Sequence, residues 1–154
     1  MLTHCFVDAN HAVNTVTWRS QTGILILCKR APIIWHSKRQ NTVETSTFGS
    51  EITAMKNAVD LIEALRYKLR MFGVPIEGPT NIYCDNEAVC RNCSTPESTL
   101  KRSITVLHIT AIVRLWRMER AVLRRKQPKP ILIDLFTKIL SQVRLEALLD
   151  RFTY

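Results

Sequence analysis

Four acids have the residue type and the local setting to do chemistry: Asp8 in CFVDANHA, Glu51 in STFGSEITA, Asp85 in NIYCDNEAV and Asp134 in LIDLFTK. Asp8 and Asp85 each close an apolar run, Glu51 opens a long helical pattern, and Asp134 stands between an apolar run and a second helical pattern. Carboxylates gathered from distant elements repel one another unless a cation offsets the crowding. Hard oxygen ligands of this kind suit Mg²⁺ or Mn²⁺. Two such ions held by shared carboxylates promote in-line hydrolysis of a phosphodiester. Taken singly, each acid could equally cap a helix or form a salt bridge, so the chemistry depends on the fold bringing the four together.

The elements that must do so can be read from periodicity. Residues 3–8 and 23–28 have strand patterns, the second apolar on both faces. A third short strand over 32–35 is expected to end before the polar stretch 36–45. A helix starts among residues 46–50, whose hydroxyls suit an N-cap. Its apolar stripe is Ile52, Met55, Val59, Ile62, Leu65 and Leu69, at spacings of three and four. Gly73 and then Pro75 supply its stop. Residues 81–84 follow as a strand, 86–92 as a short helix, and 135–152 as a C-terminal helix with Leu140, Val143, Leu148 and Phe152 at helical spacing. This order predicts an α/β fold with a mixed sheet flanked by helices.

Composition sets outer bounds. The 154 residues amount to one domain, and 46% hydrophobic content with four glycines excludes a disordered chain. No apolar run reaches membrane-spanning length, no N-terminal stretch has the form of a signal peptide, and no membrane partner is expected. A strand begins almost at Met1, which is the expectation for a piece of a longer polyprotein or a reading frame that starts late within one. The five cysteines are expected to be reduced. Cys90 and Cys93 form a lone CxxC without a second pair or a nearby His, so packing roles are expected. His4, His11, His36 and His108 lack ligand spacing.

The wording around the acids resembles the ribonuclease H domain of Copia-type (Ty1/Copia) retrotransposon polyproteins. TWRSQTGILI, PIIWHSKRQNTVETSTFGSE, RYKLRMFGVPIEGPTNIYCDNEAV, PESTLK and DLFTK carry the resemblance, in family order, over residues 2–102 and 134–154. It implies a ribonuclease H-like fold in which Asp8, Glu51, Asp85 and Asp134 hold two Mg²⁺ or Mn²⁺ ions and the RNA strand of an RNA–DNA hybrid is cut. It also implies a reverse transcriptase domain of the same polyprotein as partner, and an intracellular setting in a cytoplasmic virus-like particle. Arg19, Lys38, Arg39 and Gln40 flank the acids and are candidates for phosphate contacts. Asn10 stands where relatives often carry Asp, and Trp18 where an Arg is common.

Between Ser103 and Ile133 the resemblance stops. Relatives carry a KHN…YHR.RE stretch and a TNLAD entry to the last acid; this chain has SITVLHITAIVRLWRMERAVLRRKQPKPILI. Either the helix has diverged or family nucleotides are read in another frame. Seven basic residues stand here against Glu119 alone, so the segment holds six of the nine net positive charges. If it is a frame accident, that basicity carries no message about nucleic acid, and the chain is a decayed, non-catalytic remnant with at most weak nucleic-acid binding. As a helix, its stripe would be Ile104, Leu107, Val113, Trp116 and Val122, with residues 122–124 still able to pair at a sheet edge and Asp134 misplaced. The coding DNA decides between frames. Ser103–Thr110 can be encoded AGC ATA ACA GTA TTG CAT ATC ACC, which regroups one base earlier to KHNSIAYH; coding bases that do not regroup in this way exclude the displacement.

Overall fold

The computed structural model describes residues 2–94, 103–118, 120–125, 133–138, 142–143 and 146. Five strands form one sheet in the order β3-β2-β1-β4-β5. Strands β1 (Thr3–Asn10), β2 (Gln21–Cys28) and β3 (Ala31–Arg39) form an antiparallel meander. After the long helix α1 (Thr47–Met71), β4 (Thr80–Cys84) returns parallel to β1. Helices α2 (Glu87–Ser94) and α3 (Ser103–Arg117) then lead to β5 (Ala121–Arg125), parallel to β4, and one turn, α4 (Asp134–Thr137), follows. The expected mixed α/β sheet is present. The C-terminal helix expected from 135 is interrupted at its start, where the turn ends at Thr137 and Lys138 is extended; most of the rest of 135–152 lies outside the described residues.

Pleating sorts β1 into two faces. Cys5 and Val7, with Ile24, Ile26 and Ile82, point at α1 and form the core with Ile52, Met55, Val59 and Ile62. Ala54 and Ala58 join the expected stripe on α1, and small side chains there let the helix lie close to the sheet. On the opposite face Phe6 and His4 stack against Tyr83, with ring centroids 4.9 and 6.0 Å apart.

The ends of α1 obey local rules. Ser46 is extended (φ −148°, ψ 154°) and its hydroxyl accepts the Gly49 amide at 3.1 Å, as an N-cap does. At the other end Gly73 takes φ +68°, its amide donating to the Arg70 carbonyl and that of Val74 to Leu69. That paired closure is the Schellman motif, which needs a left-handed residue where Gly73 stands.

Two expectations are corrected. Strand β3 does not end at Trp35: His36, Ser37, Lys38 and Arg39 pair with Ile24, Gly23, Thr22 and Gln21. An edge strand needs no apolar face, so polar residues continue it. Among the described side chains of α3 the buried ones are Ile109, Ile112 and Leu115; of the expected stripe Val113 is partly buried against the core, whereas Leu107 is 69% exposed. The helix turns toward α1 the face whose side chains complete the core. The edge pairing expected over 122–124 is present as β5.

The turn α4 reaches the sheet through a gap in the pleat. Gly23 is paired across from Asp8, and a Cβ placed on it would lie 2.5 Å from Thr137 Cγ2 and 3.0 Å from Phe136 Cβ. Asn10 Nδ2 donates to the Thr137 carbonyl at 3.0 Å, and Ser37 Oγ donates to that of Phe136 at 2.6 Å. Since Thr137 is held on both sides, Gly23→Ala is expected to cost about 1–3 kcal/mol through overpacking, read by urea unfolding.

Candidate active site

All four acids lie at one end of the sheet. Asp8 is in β1, one strand-width from β4, which ends at Cys84 just before Asp85. Asn86 fixes the chain there: its Oδ1 accepts the amides of Ala88 and Val89 at 3.0 and 3.3 Å and so starts α2. Glu51 descends from the first turns of α1, where the Ser46 cap sets the helix start. Asp134 comes from α4. Asp8, Glu51 and Asp134 are buried (3, 6 and 3% exposed), whereas Asp85 faces solvent. Asp134, expected to be misplaced, instead sits beside Asp8, because Asn10, Ser37 and Gly23 seat its turn.

The electrostatics follow from this crowding. Burial above all raises the Glu51 carboxyl, and the charges of Asp8 and Asp85 add to it; the Ala9 amide and Lys138 pull the other way, leaving it at about 8. Asp8 is likewise raised, chiefly by burial and further by Asp85 and Asp134. Opposing that rise, Thr137 Oγ1 donates a short hydrogen bond to Asp8 Oδ2, and the Lys138 ammonium lies 3.9 Å from the same oxygen. Lys138 also donates to Asp134 Oδ1 at 3.0 Å. Burial lowers the affinity of Lys138 for its proton, but Asp134, Asp8 and Asp85 outweigh it and the net shift is upward.

Two observations bear on what this cluster can hold. Glu51 Oε2 is buried without a hydrogen-bond partner, an arrangement that costs free energy unless a ligand completes it. Ligand atoms of Glu51, Cys84 and Asp85 all lie within 4.8 Å of one another, close enough to share a cation. The carboxylates suit a hard divalent ion. Cys84 escaped sequence reading because a buried cysteine at a strand end looks like core; its only signal was adjacency to Asp85. Its thiol is pushed well up, first by the hydrogen bond with Cys90 and then by burial.

The flanking polar residues divide. Lys38 and Arg39 are exposed on β3, and Arg19 is half-buried in the β1–β2 connection. Gln40 is buried, its Nε2 donating to Thr22 Oγ1 at 3.0 Å and to the Ser50 carbonyl at 2.9 Å. It ties β2 to the start of α1 rather than facing solvent. A cavity of about 480 Å³ between β3, α1 and α3 is lined by Lys38, Arg39, Lys56 and His108, and by none of the four acids. No helix among the described residues is long and apolar enough to cross a membrane.

No known family model matches the chain. Two retrovirus-related Pol polyproteins of Arabidopsis thaliana, from transposons RE2 and RE1, are 29 and 28% identical to it over 93 residues, or 60% of the chain. Among solved structures, LC11-RNase H1 in complex with an RNA/DNA hybrid superposes with a TM-score of 0.63 at 14% identity, covering 88% of this chain and 93% of that one. The chain is a ribonuclease H-fold domain related to retrotransposon Pol polyproteins. The domain spans 6% of the length of those curated relatives. RNase H1 of Halobacterium salinarum has the same fold (TM-score 0.61, 9% identity, 96% of this chain and 99% of that one). So does part of a foamy viral protease-reverse transcriptase in complex with an RNA/DNA hybrid (TM-score 0.57, 16% identity, 94% of this chain, 20% of that one).

The raised Glu51 carboxyl has a measurable consequence. The folded domain holds this proton across a window, 4.5 to about 8, in which an unfolded glutamate has released it. Stability therefore falls as pH rises through that window. Glu51→Gln is expected to remove that slope, matching the parent near pH 4 and exceeding it at pH 8 by on the order of a few kcal/mol in urea unfolding.

Proposed function

We propose that this domain is the ribonuclease H of a Copia-type retrotransposon polyprotein, which hydrolyses the RNA strand of RNA–DNA hybrids with Asp8, Glu51, Asp85 and Asp134 as carboxylate ligands. The observation that carries the reading is the convergence of these four acids at one end of a ribonuclease H-fold sheet, with a buried Glu51 oxygen unsatisfied by any protein donor. Two Mg²⁺ or Mn²⁺ ions, when bound, supply Lewis acidity at the scissile phosphate and at the attacking water. The chain's own part is to orient and to exclude. Glu51 is stiffened by α1 and by the Ala9 amide. Asp8 is oriented by Thr137, and Asp85, at the exposed rim, is the acid nearest to a strand lying across the sheet end.

Recognition of the hybrid rests on backbone shape and 2′-hydroxyls rather than on base sequence. Lys38 and Arg39, exposed on the edge strand, and Arg19 in the neighbouring loop are the proposed phosphate contacts. Gln40 is withdrawn from that set by its burial. A reverse transcriptase domain of the same polyprotein is the proposed covalent neighbour, supported by the Pol relatives and the foamy virus structure.

A second reading, a single domain over 1–154 that has decayed, draws on one observation: residues 103–133 depart from family wording while their surroundings keep it. Both readings meet in one experiment, Mg²⁺-dependent cleavage of an RNA–DNA hybrid by this chain, by its Asp85→Asn variant, and by a version with 103–133 restored to the family frame. Cleavage by this chain, lost at least 100-fold in Asp85→Asn by analogy with removal of other catalytic electrostatic groups, is the expected result. Cleavage by the restored version alone would establish the remnant, and activity retained in Asp85→Asn would remove this site.

A further inference from the structure

Lys138 is the one cation that the described residues set against two of the four acids, and the reading above gives it no role. Its ammonium donates to Asp134 Oδ1 at 3.0 Å and lies 3.9 Å from Asp8 Oδ2. Both carboxylates are almost wholly buried, whereas the lysine side chain is 43% exposed. The position is fixed by backbone: Lys138 is the C-cap of α4, extended at φ −123° and ψ 148°, its amide donating to the Asp134 carbonyl at 2.9 Å. Asn10 and Ser37 hold the turn in place from the sheet. The stem therefore starts from an anchored point and ends in a group with a route to solvent.

We propose that Lys138 is a tethered counter-cation of the carboxylate cluster, a positioning residue that holds Asp8 and Asp134 together and competes with divalent metal for their oxygens. The proposal rests on the metal-binding reading of the four acids. An ammonium and a hard cation cannot use the same oxygen lone pairs. Mg²⁺ requires oxygens at about 2.0–2.1 Å, so metal entry at Asp134 and Asp8 moves the ammonium off. A lysine suits this exchange better than an arginine. Its charge is a compact point on a flexible stem, whereas a guanidinium would clamp a carboxylate through two fixed bonds. The cost of gathering buried like charges is thus offset by the chain itself until metal takes over, and metal affinity is set partly by how readily Lys138 leaves.

The test is Mn²⁺ binding, followed by the electron paramagnetic resonance of free Mn²⁺, with thermal unfolding in EDTA measured beside it. Lys138→Met keeps the length of the stem and removes the charge. It is expected to bind Mn²⁺ roughly two- to fivefold more tightly, the scale of a partly exposed ion pair released from competition. In EDTA it is expected to melt roughly 2–4 °C lower. Lys138→Arg should bind Mn²⁺ no more tightly than the parent. A lysine that only braces the fold would weaken metal binding when removed, so equal or weaker binding by Lys138→Met overturns the counter-cation while leaving the proposed function intact. Failure of parent and variant alike to bind Mn²⁺ overturns both.

Discussion

The burial of carboxylates gathered at one end of the sheet is the constraint on which the rest of the structure depends. Asp8, Glu51 and Asp134 have been taken almost entirely out of water, and charges so placed are unfavourable without compensation. The compensations visible in the chain are particular ones: the Ala9 amide on Glu51, the Thr137 hydroxyl on Asp8, and the Lys138 ammonium between Asp8 and Asp134. They fall short at Glu51, whose carboxyl remains raised and whose Oε2 lacks a partner. A site that leaves a buried acid incompletely satisfied trades stability for affinity toward something that binds carboxylates.

Several features that look like ordinary packing serve this gathering. Gly23 is a gap in β2 opposite Asp8, and through that gap α4 comes close enough for Thr137 to reach the carboxylate. Asn10 and Ser37, on β1 and β3, grip the carbonyls of the same turn. The Ser46 cap starts α1 at the point that brings Glu51 over β1. Asn86 ends the excursion after β4 by capping α2, which leaves Asp85 at the rim.

Helix α3 and strand β5 hold their places through contacts that ask little of particular side chains. Strand β5 joins β4 through backbone hydrogen bonds, which are largely indifferent to side-chain identity. Helix α3 needs only an apolar face toward α1, which Ile109, Ile112 and Leu115 supply. Hydrophobic residues of about the right size are enough for such a contact. The seat of Asp134 is built from Asn10, Gly23 and Ser37, all far from it in sequence.

Local rules made much of this molecule legible before any coordinates. Alternation located β1 and β4, a continuous apolar run located β2, and a period of 3.6 located α1, because the number of buried faces dictates the pattern. The Ser46 cap and Gly73 stop could be read because backbone amides at helix ends and a left-handed residue each demand a short list of side chains. The four acids were visible as residue types in unusual settings. Other features depend on pairs far apart in sequence, and no local pattern encodes them. The extent of β3 was hidden because an edge strand carries no apolar signature. The buried face of α3 was hidden because several faces of that helix are apolar. Gln40 resembled a surface amide until Thr22 and Ser50 enclosed it. Sequence by itself determined which groups were available and which elements carry them. Tertiary structure alone decided that Gly23 admits Thr137 to Asp8 and that Lys138 stands between two acids, since side chains more than 100 positions apart meet only when the sheet closes.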